Sequence, residues 1–353
     1  MPLPELRDDL ALREGYHSPQ VDVPVRLNTN ESPLPPPAEW LAALTDEMGK
    51  IAFNRYPDRD ATELRQALAD LHGVGLDQIF CGNGSNEVLQ SLCLAFGGPG
   101  RSVAVFEPTY ALHSHIAHLT GTAVVEGQRR PDFSLDLDAV RDLISARHPS
   151  ITFLCSPNNP TGMAEDPMGV RAVLDAAPGL LVIDEAYGQF ADWSAVSLVD
   201  DVSPLVVTRT FSKTWAMAAA RLGYVVGPPQ VVAALERVAL PYHLDAFKQA
   251  AGRLAVQFVG EMEQRVGLIV RERQRIFVAL GALPVTAWPS QSNFILFRPE
   301  TRKGNEVWQG LLDRGVLVRD TSAWPGLTGC LRVTVGTPEE NDAFLTALTE
   351  VLS

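Results

Sequence analysis

Three features of the sequence predict an α/β fold built on a mainly parallel sheet. Short, continuously apolar runs recur between residues 78 and 227, each too brief for a helix. Between them lie longer segments whose apolar residues fall three or four apart, as in helices that cover a sheet face. Strands covered on both faces read as unbroken apolar stretches, not alternating ones. Polar residues then cluster where the runs end: "GNGSNE" (82–87), "SPNNPTG" (156–162), "IDEAYG" (183–188) and "TFSK" (210–213). Ligands of parallel sheets bind outside the carboxyl ends of the strands, so these junctions are the places to look for chemistry.

Taken in order, residues 1–26 read as an N-terminal arm, and the proline-rich "NESPLPPPAEW" (30–40) as a turn into the main body. Residues 60–73 predict a helix: Asp60 is the cap candidate, Leu64, Leu68 and Leu71 share a face, and Gly73 ends it. Seven strands follow, at 78–82, 102–108, 122–127, 151–157, 179–187, 204–210 and 222–227. Helices fall at 86–96, around 110–119, at 137–146 and around 168–177. Together they predict a large domain over 27–242. A helical stretch over 231–259 is broken by Pro241 and leads into a long basic–acidic helix, "EMEQRVGLIVRERQRIFVAL". Strands at 293–299, 315–320 and 330–336, with a helix near 304–313, predict a smaller α/β domain over 243–353 against which the arm packs.

Composition narrows the function classes. With 46% hydrophobic and 20% charged residues, the chain is an ordinary globular protein. A net charge of −13 argues against nucleic acid as a partner, while leaving room for a locally basic pocket. No apolar core of a secretory signal stands near the start, and no run is long enough to span a membrane. Cys81, Cys93, Cys155 and Cys330 are far apart, without metal-ligand spacing, and read as reduced buried thiols. A cytoplasmic location is the expectation.

Each strand end admits a plain reading and a chemical one. "GNGSNE" is either a tight turn or a helix N-terminus whose N–H groups and dipole receive a phosphate. Asp184 follows four apolar residues and would be costly to bury without something positive beside it. Lys213 stands where an apolar strand gives way to the small residues "AMAAA", either as a surface cation or as a covalent attachment point. Arg332, inside "CLRVTVG", is an arginine in mid-strand. His113, His115 and His118 have no carboxylate nearby in sequence, so no metal is expected.

In this order the four junctions resemble the fold-type I pyridoxal-phosphate aminotransferases, whose architecture is that of aspartate aminotransferase. The likeness runs over nearly the whole chain and implies pyridoxal phosphate as cofactor. It implies Lys213 as the covalent attachment point and proton carrier, with Asp184 paired to the ring nitrogen. Asn159 and Tyr187 are then expected at the ring hydroxyl and Tyr110 against the ring face. Gly84, Ser85, Asn86, Ser212 and Arg221 are expected to hold the phosphate, and Arg332 to grip a substrate carboxylate.

Within the family, "LNTNESPLPPP", "NRYPD" and "VIDEAYGQF" are similar to the histidinol-phosphate aminotransferases. That branch implies exchange of an amino group between L-histidinol phosphate and 2-oxoglutarate. It also implies a second anion site at Arg319 and substrate contacts from Tyr16 and Asn30. Tyr56 is expected to reach the cofactor phosphate of a neighbouring subunit in a homodimer. Aromatic amino-acid aminotransferases and threonine-phosphate decarboxylases share the scaffold, and a cofactor-binding regulator is a further alternative. One departure stands out: alanines occupy 218–220, before Arg221, where the family often has a glycine. Ordinary helical geometry there would tolerate them.

Overall fold

The computed structural model describes Glu5 and residues 21–353. The described body opens with β1 (Val25–Leu27), α1 (Ala38–Met48) and α2 (Thr62–His72). Helix α2 buries Leu64 and Leu68 and stops at Gly73, which has a left-handed φ of +67° that glycine adopts without cost. Its start departs from expectation. Ala61 precedes the first helical residue, and Asp58, not Asp60, accepts the Thr62 N–H at 2.7 Å.

The chain then alternates β2 (Ile79–Gly82), α3 (Ser85–Phe96), β3 (Ser102–Glu107), α4 (Leu112–Leu119), β4 (Ala123–Gln128), α5 (Leu137–Arg147), β5 (Ile151–Cys155), α6 (Pro167–Ala176) and β6 (Leu180–Asp184). Strands β7 (Leu205–Thr210) and β8 (Gly223–Val226) complete a seven-stranded sheet ordered β2-β8-β7-β6-β5-β3-β4. Its pairings from β7 to β4 are parallel, and β8 alone runs against both its neighbours. Successive residues of one strand serve opposite layers. Leu180 and Val182 pack with Leu89, Leu92 and Ile116, whereas Leu181 and Ile183 pack with Val140, Ile144 and Val170. This two-sided burial is why the strand sequences show no polar alternation.

The remainder comprises α7 (Pro229–Val238), α8 (Ala246–Val256), α9 (Val259–Leu280), β9 (Val285–Ala287), β10 (Phe294–Pro299), α10 (Gly304–Leu312), β11 (Val316–Asp320), β12 (Leu331–Thr334) and α11 (Pro338–Leu352). A second sheet, ordered β1-β11-β12-β10-β9, is antiparallel except where β1 joins β11. Ile276, Phe294, Phe297, Val307 and Phe344 form its core. Elements α1, α11, β1 and β9 are additions to those expected, and the two strands are three residues long, too short to display a period.

Helix α8 belongs to the first layer system. Leu244, Ala251, Leu254 and Ala255 share a core with Leu64, Leu68, Ile79 and Leu222. Residues 243–256 therefore pack with the seven-stranded sheet, although the sequence reading groups them with the C-terminal domain. Apolar spacing marks a helix as covered, not which sheet covers it. Among the described residues, no helix is long and apolar enough to cross a membrane.

Candidate active site

Parallel registration brings the strand ends level. Cys155 pairs with Asp184, and Asp184 with Thr208, so β5, β6 and β7 deliver their polar closing residues to one edge. Strands β11 and β12 of the second sheet face that edge. Between them lies a cavity of about 210 Å³. It is lined by Asn30, Ser85, Asn86, Tyr110, Asn159, Asp184, Tyr187, Ser212, Lys213, Arg221, Arg319 and Arg332, twelve of the residues singled out from sequence.

One end of the cavity is built for an anion. Arg221 Nη1 donates to Ser212 Oγ at 3.1 Å, and α3, which begins at Ser85, has at its N-cap Gly84, which offers no side chain to its first turn. Gly84 has φ +84°, and a Cβ there would stand 2.7 Å from Arg221 Nη2. Glycine thus keeps open the space between the guanidinium and the helix N-terminus. Gly223 makes a second close approach, since its Cβ would fall 2.3 Å from Ser85 N. Ala218–Ala220 form a short 3₁₀ turn, while the left-handed positions are Ala216 (φ +57°) and Arg221 (φ +51°). Departure from glycine matters at Ala216, outside the "AAA" run.

Asp184 forms the floor. Its Oδ1 accepts from Ala186 N–H at 3.1 Å and Thr208 Oγ1 at 3.2 Å, and its Oδ2 lies 3.0 Å from His113 Nε2. A carboxylate only accepts, so the Nε2–H form of His113 donates. His113 stacks on Phe153 and meets Tyr110 edge-on. His113 is therefore a site residue, a role its sequence context does not suggest. The available signal was only its place three residues after Tyr110, across a turn in which its N–H bonds Tyr110 O at 3.0 Å.

Lys213 occupies the centre, half-buried, with Nζ donating to Thr29 O at 3.1 Å and lying 5.7 Å from the Tyr187 ring centroid. Burial, then the charges of Arg332 and Arg221, bring its pKa down to about 7 against the pull of Glu31. Tyr187, whose phenol burial raises well above the usual range, packs edge-on to Phe294 and accepts from Asn30 Nδ2 at 2.9 Å.

The opposite wall carries two guanidinium groups. Arg319 and Arg332 are direct register partners across β11 and β12. Arg332 lies over the Phe294 ring at 5.0 Å, donates to Asn28 O at 3.0 Å, and is hydrogen-bonded to Asn159 Oδ1. Paired cations on one wall make a receptor for a carboxylate or phosphate.

Tyr56 is not in the cavity of its own chain. It is 80% exposed and stacked on Tyr242 at 4.5 Å. Tyr16 lies outside the described residues. Asn28, Thr29, Cys155, Ala186 and Thr210 also line the cavity. Asn28 and Thr29 contribute backbone carbonyls, which carry no residue-type signal.

Residues 22–348 match the protein family described as aminotransferase class I and II. A histidinol-phosphate aminotransferase of Mycobacterium avium is 45% identical over 97% of this chain and 87% of its own. One from Frankia casuarinae is 47% identical over 99% and 90%. The crystal structure of the Sinorhizobium meliloti histidinol-phosphate aminotransferase, in complex with pyridoxal-5'-phosphate, superposes with a TM-score of 0.86. Its sequence is 25% identical, over 94% of this chain and 91% of that one. With the two sheets, the shared edge and the lysine between arginines in place, the chain belongs to the class I and II aminotransferase family.

Proposed function

We propose that this chain exchanges an amino group between L-histidinol phosphate and 2-oxoglutarate, using pyridoxal phosphate as cofactor. The observation that carries the reading is one cavity holding a lysine of depressed pKa between an anion cradle and a pair of opposed arginines. The donor set fits the cofactor. Arg221, Ser212 and the first turn of α3 converge on the space that Gly84 leaves open, and Asp184 is fixed from three sides at the floor.

When bound, pyridoxal phosphate supplies an aldehyde carbon for the amino group and a protonated ring that withdraws electrons from the substrate Cα. Lys213 would be the residue that holds the cofactor covalently, and its amine would serve as the proton carrier. Neutrality near pH 7 suits its amine to both tasks. Asp184 holds the proton of the ring nitrogen, and the fixed His113 contact keeps its carboxylate oriented. Asn159 spends its oxygen on Arg332, so its Nδ2–H₂ end is left to donate, and with Tyr187 it would hold the ring oxygen. Tyr110 would pack against the ring. Arg332 would take the carboxylate of the amino-acid partner, and Arg319 the phosphate of histidinol phosphate, with Asn30 lining the pocket.

Two copies form a homodimer in which Tyr56 reaches the neighbouring cofactor phosphate, and its exposure outside its own cavity supports that role. The four cysteines are free, buried thiols, which fits a cytoplasmic enzyme. The two domains divide near residue 258, with residues 243–258 joined to the large one, as the shared core of α8 supports.

A panel of amino donors with 2-oxoglutarate tests the substrate. Histidinol phosphate should give the highest kcat/KM. A preference for phenylalanine or tyrosine would replace the reading with aromatic transamination, and release of CO₂ from threonine phosphate would replace it with decarboxylation.

A further inference from the structure

We propose that Thr334 is a positioning residue: its hydroxyl fixes which way the Asn30 amide points, and thereby aims the Tyr187 phenol proton into the cavity. The inference rests on the pyridoxal phosphate reading of that cavity and concerns a residue two positions beyond Arg332 on β12.

The buried Thr334 hydroxyl accepts from the Asn30 backbone N–H at 3.0 Å and donates to Asn30 Oδ1 at 3.0 Å. Asn30 Nδ2 then faces Tyr187 and donates to its phenol oxygen at 2.9 Å. Asn293 Nδ2 holds the other side of the turn by donating to Asn30 O at 3.1 Å. Asn30 has φ +55°, a left-handed conformation that asparagine tolerates, so its amide is presented from a fixed backbone.

Two orientations of the amide are sterically equivalent, and hydrogen-bond accounting separates them. In the observed one Thr334 O–H goes to Oδ1, and one Nδ2–H to Tyr187. In the reversed one Oδ1 faces Tyr187 and accepts the phenol proton. Thr334 then loses the Oδ1 acceptor that its buried O–H uses in the structure. An unspent buried donor is costly. Thr334 therefore selects the orientation in which Tyr187 receives a hydrogen bond and keeps its own proton for the cavity, which it lines. Phenol donation to the cofactor ring oxygen is in this way enforced from the second sheet.

The test uses protein loaded with pyridoxal phosphate and reads the pH midpoint of its visible absorbance change. A donor to the ring oxygen stabilises that oxygen's negative charge and weakens its hold on the neighbouring proton, so loss of the donor raises the midpoint. Thr334→Val should raise it by about one pH unit, the equivalent of one charge-assisted hydrogen bond. Thr334→Ser should restore it, and in an Asn30→Ala background Thr334→Val should change nothing further, because no amide remains to turn. If the valine variant does not fold, Thr334→Ala removes the hydroxyl without added bulk and carries the same expectation. Equal midpoints in the Val (or Ala), Ser and parent proteins would overturn the inference, as would a full shift persisting without Asn30. If the parent acquires no visible band with pyridoxal phosphate, the cofactor reading falls and this inference with it. A band whose midpoint ignores Thr334 overturns this inference alone.

Discussion

Lys213 shows how a single side chain can be destabilising and useful at once. Its folded pKa, about 7, lies below the ordinary lysine value of 10.5. Such a group subtracts from stability, fully below about pH 7 and less and less as pH rises towards 10.5. Cofactor-free Lys213→Met should therefore be more stable than the parent at pH 7. The gain is about 1–2 kcal/mol once discounted for the water that reaches a half-buried amine. Thermal melts at pH 7 and pH 10 check this; a gap that does not shrink at pH 10 would contradict it. In the parent, the rate of pyridoxal phosphate attachment should rise through about pH 7, whereas a midpoint near 10 would mean that the amine is not perturbed. Lys213→Ala should lack the visible band altogether. Arg319→Ala should raise KM for histidinol phosphate about ten- to a hundredfold more than for an uncharged amino acid, as initial-rate kinetics on both substrates would reveal. At this scale the sequence was legible wherever function depends on a residue type. Lys213, Asp184 and Arg332 each stand out as a charge in an apolar setting. Carbonyls of Asn28 and Thr29 were illegible because every residue has one.

At the scale of elements, the turn into α3 and the strand β8 depend on each other. Gly223 pairs with Thr210 on one side and Gly82 on the other, leaving no room for a methyl group against Ser85 N. Gly223→Ala should push the α3 N-terminus away from Arg221. The expected result is a loss of about 1–3 kcal/mol in stability and weaker cofactor binding, measured by melting and by titration with pyridoxal phosphate. Ala216 invites the opposite change. Left-handed backbone costs an L-residue about 1–2 kcal/mol, so Ala216→Gly should stabilise by about 0.5–1 kcal/mol after glycine's own entropy is counted. An unchanged melting temperature would refute the strain. Strands β3, β5 and β6 were legible because burial on both faces leaves them almost wholly apolar. Helix α8 was legible as a helix but not as a partner of α1 and α2, since its packing is decided by Leu222 and Ile79, more than twenty and more than 160 residues away.

For the whole molecule, the exposed apolar residues include a group on two segments that meet. Phe53, Tyr56 and Leu240 are 81%, 80% and 76% exposed, and Tyr242 stacks on Tyr56. A patch of this kind suits an interface, and the proposed homodimer would bury it. Phe53→Asp combined with Leu240→Asp should yield monomers in sedimentation velocity and lower cofactor affinity, while unaltered sedimentation would place the interface elsewhere. The parallel pairing of β1 with β11 reaches further. Val25 finds Val316, so the first strand must wait until almost the entire chain has left the ribosome. The seven-stranded sheet has all its strands by Val226 and can close early. Asn28 to Asn30, tethered by β1, and the arginines of β11 and β12 are thus the walls that the chain completes last, after the seven-stranded floor.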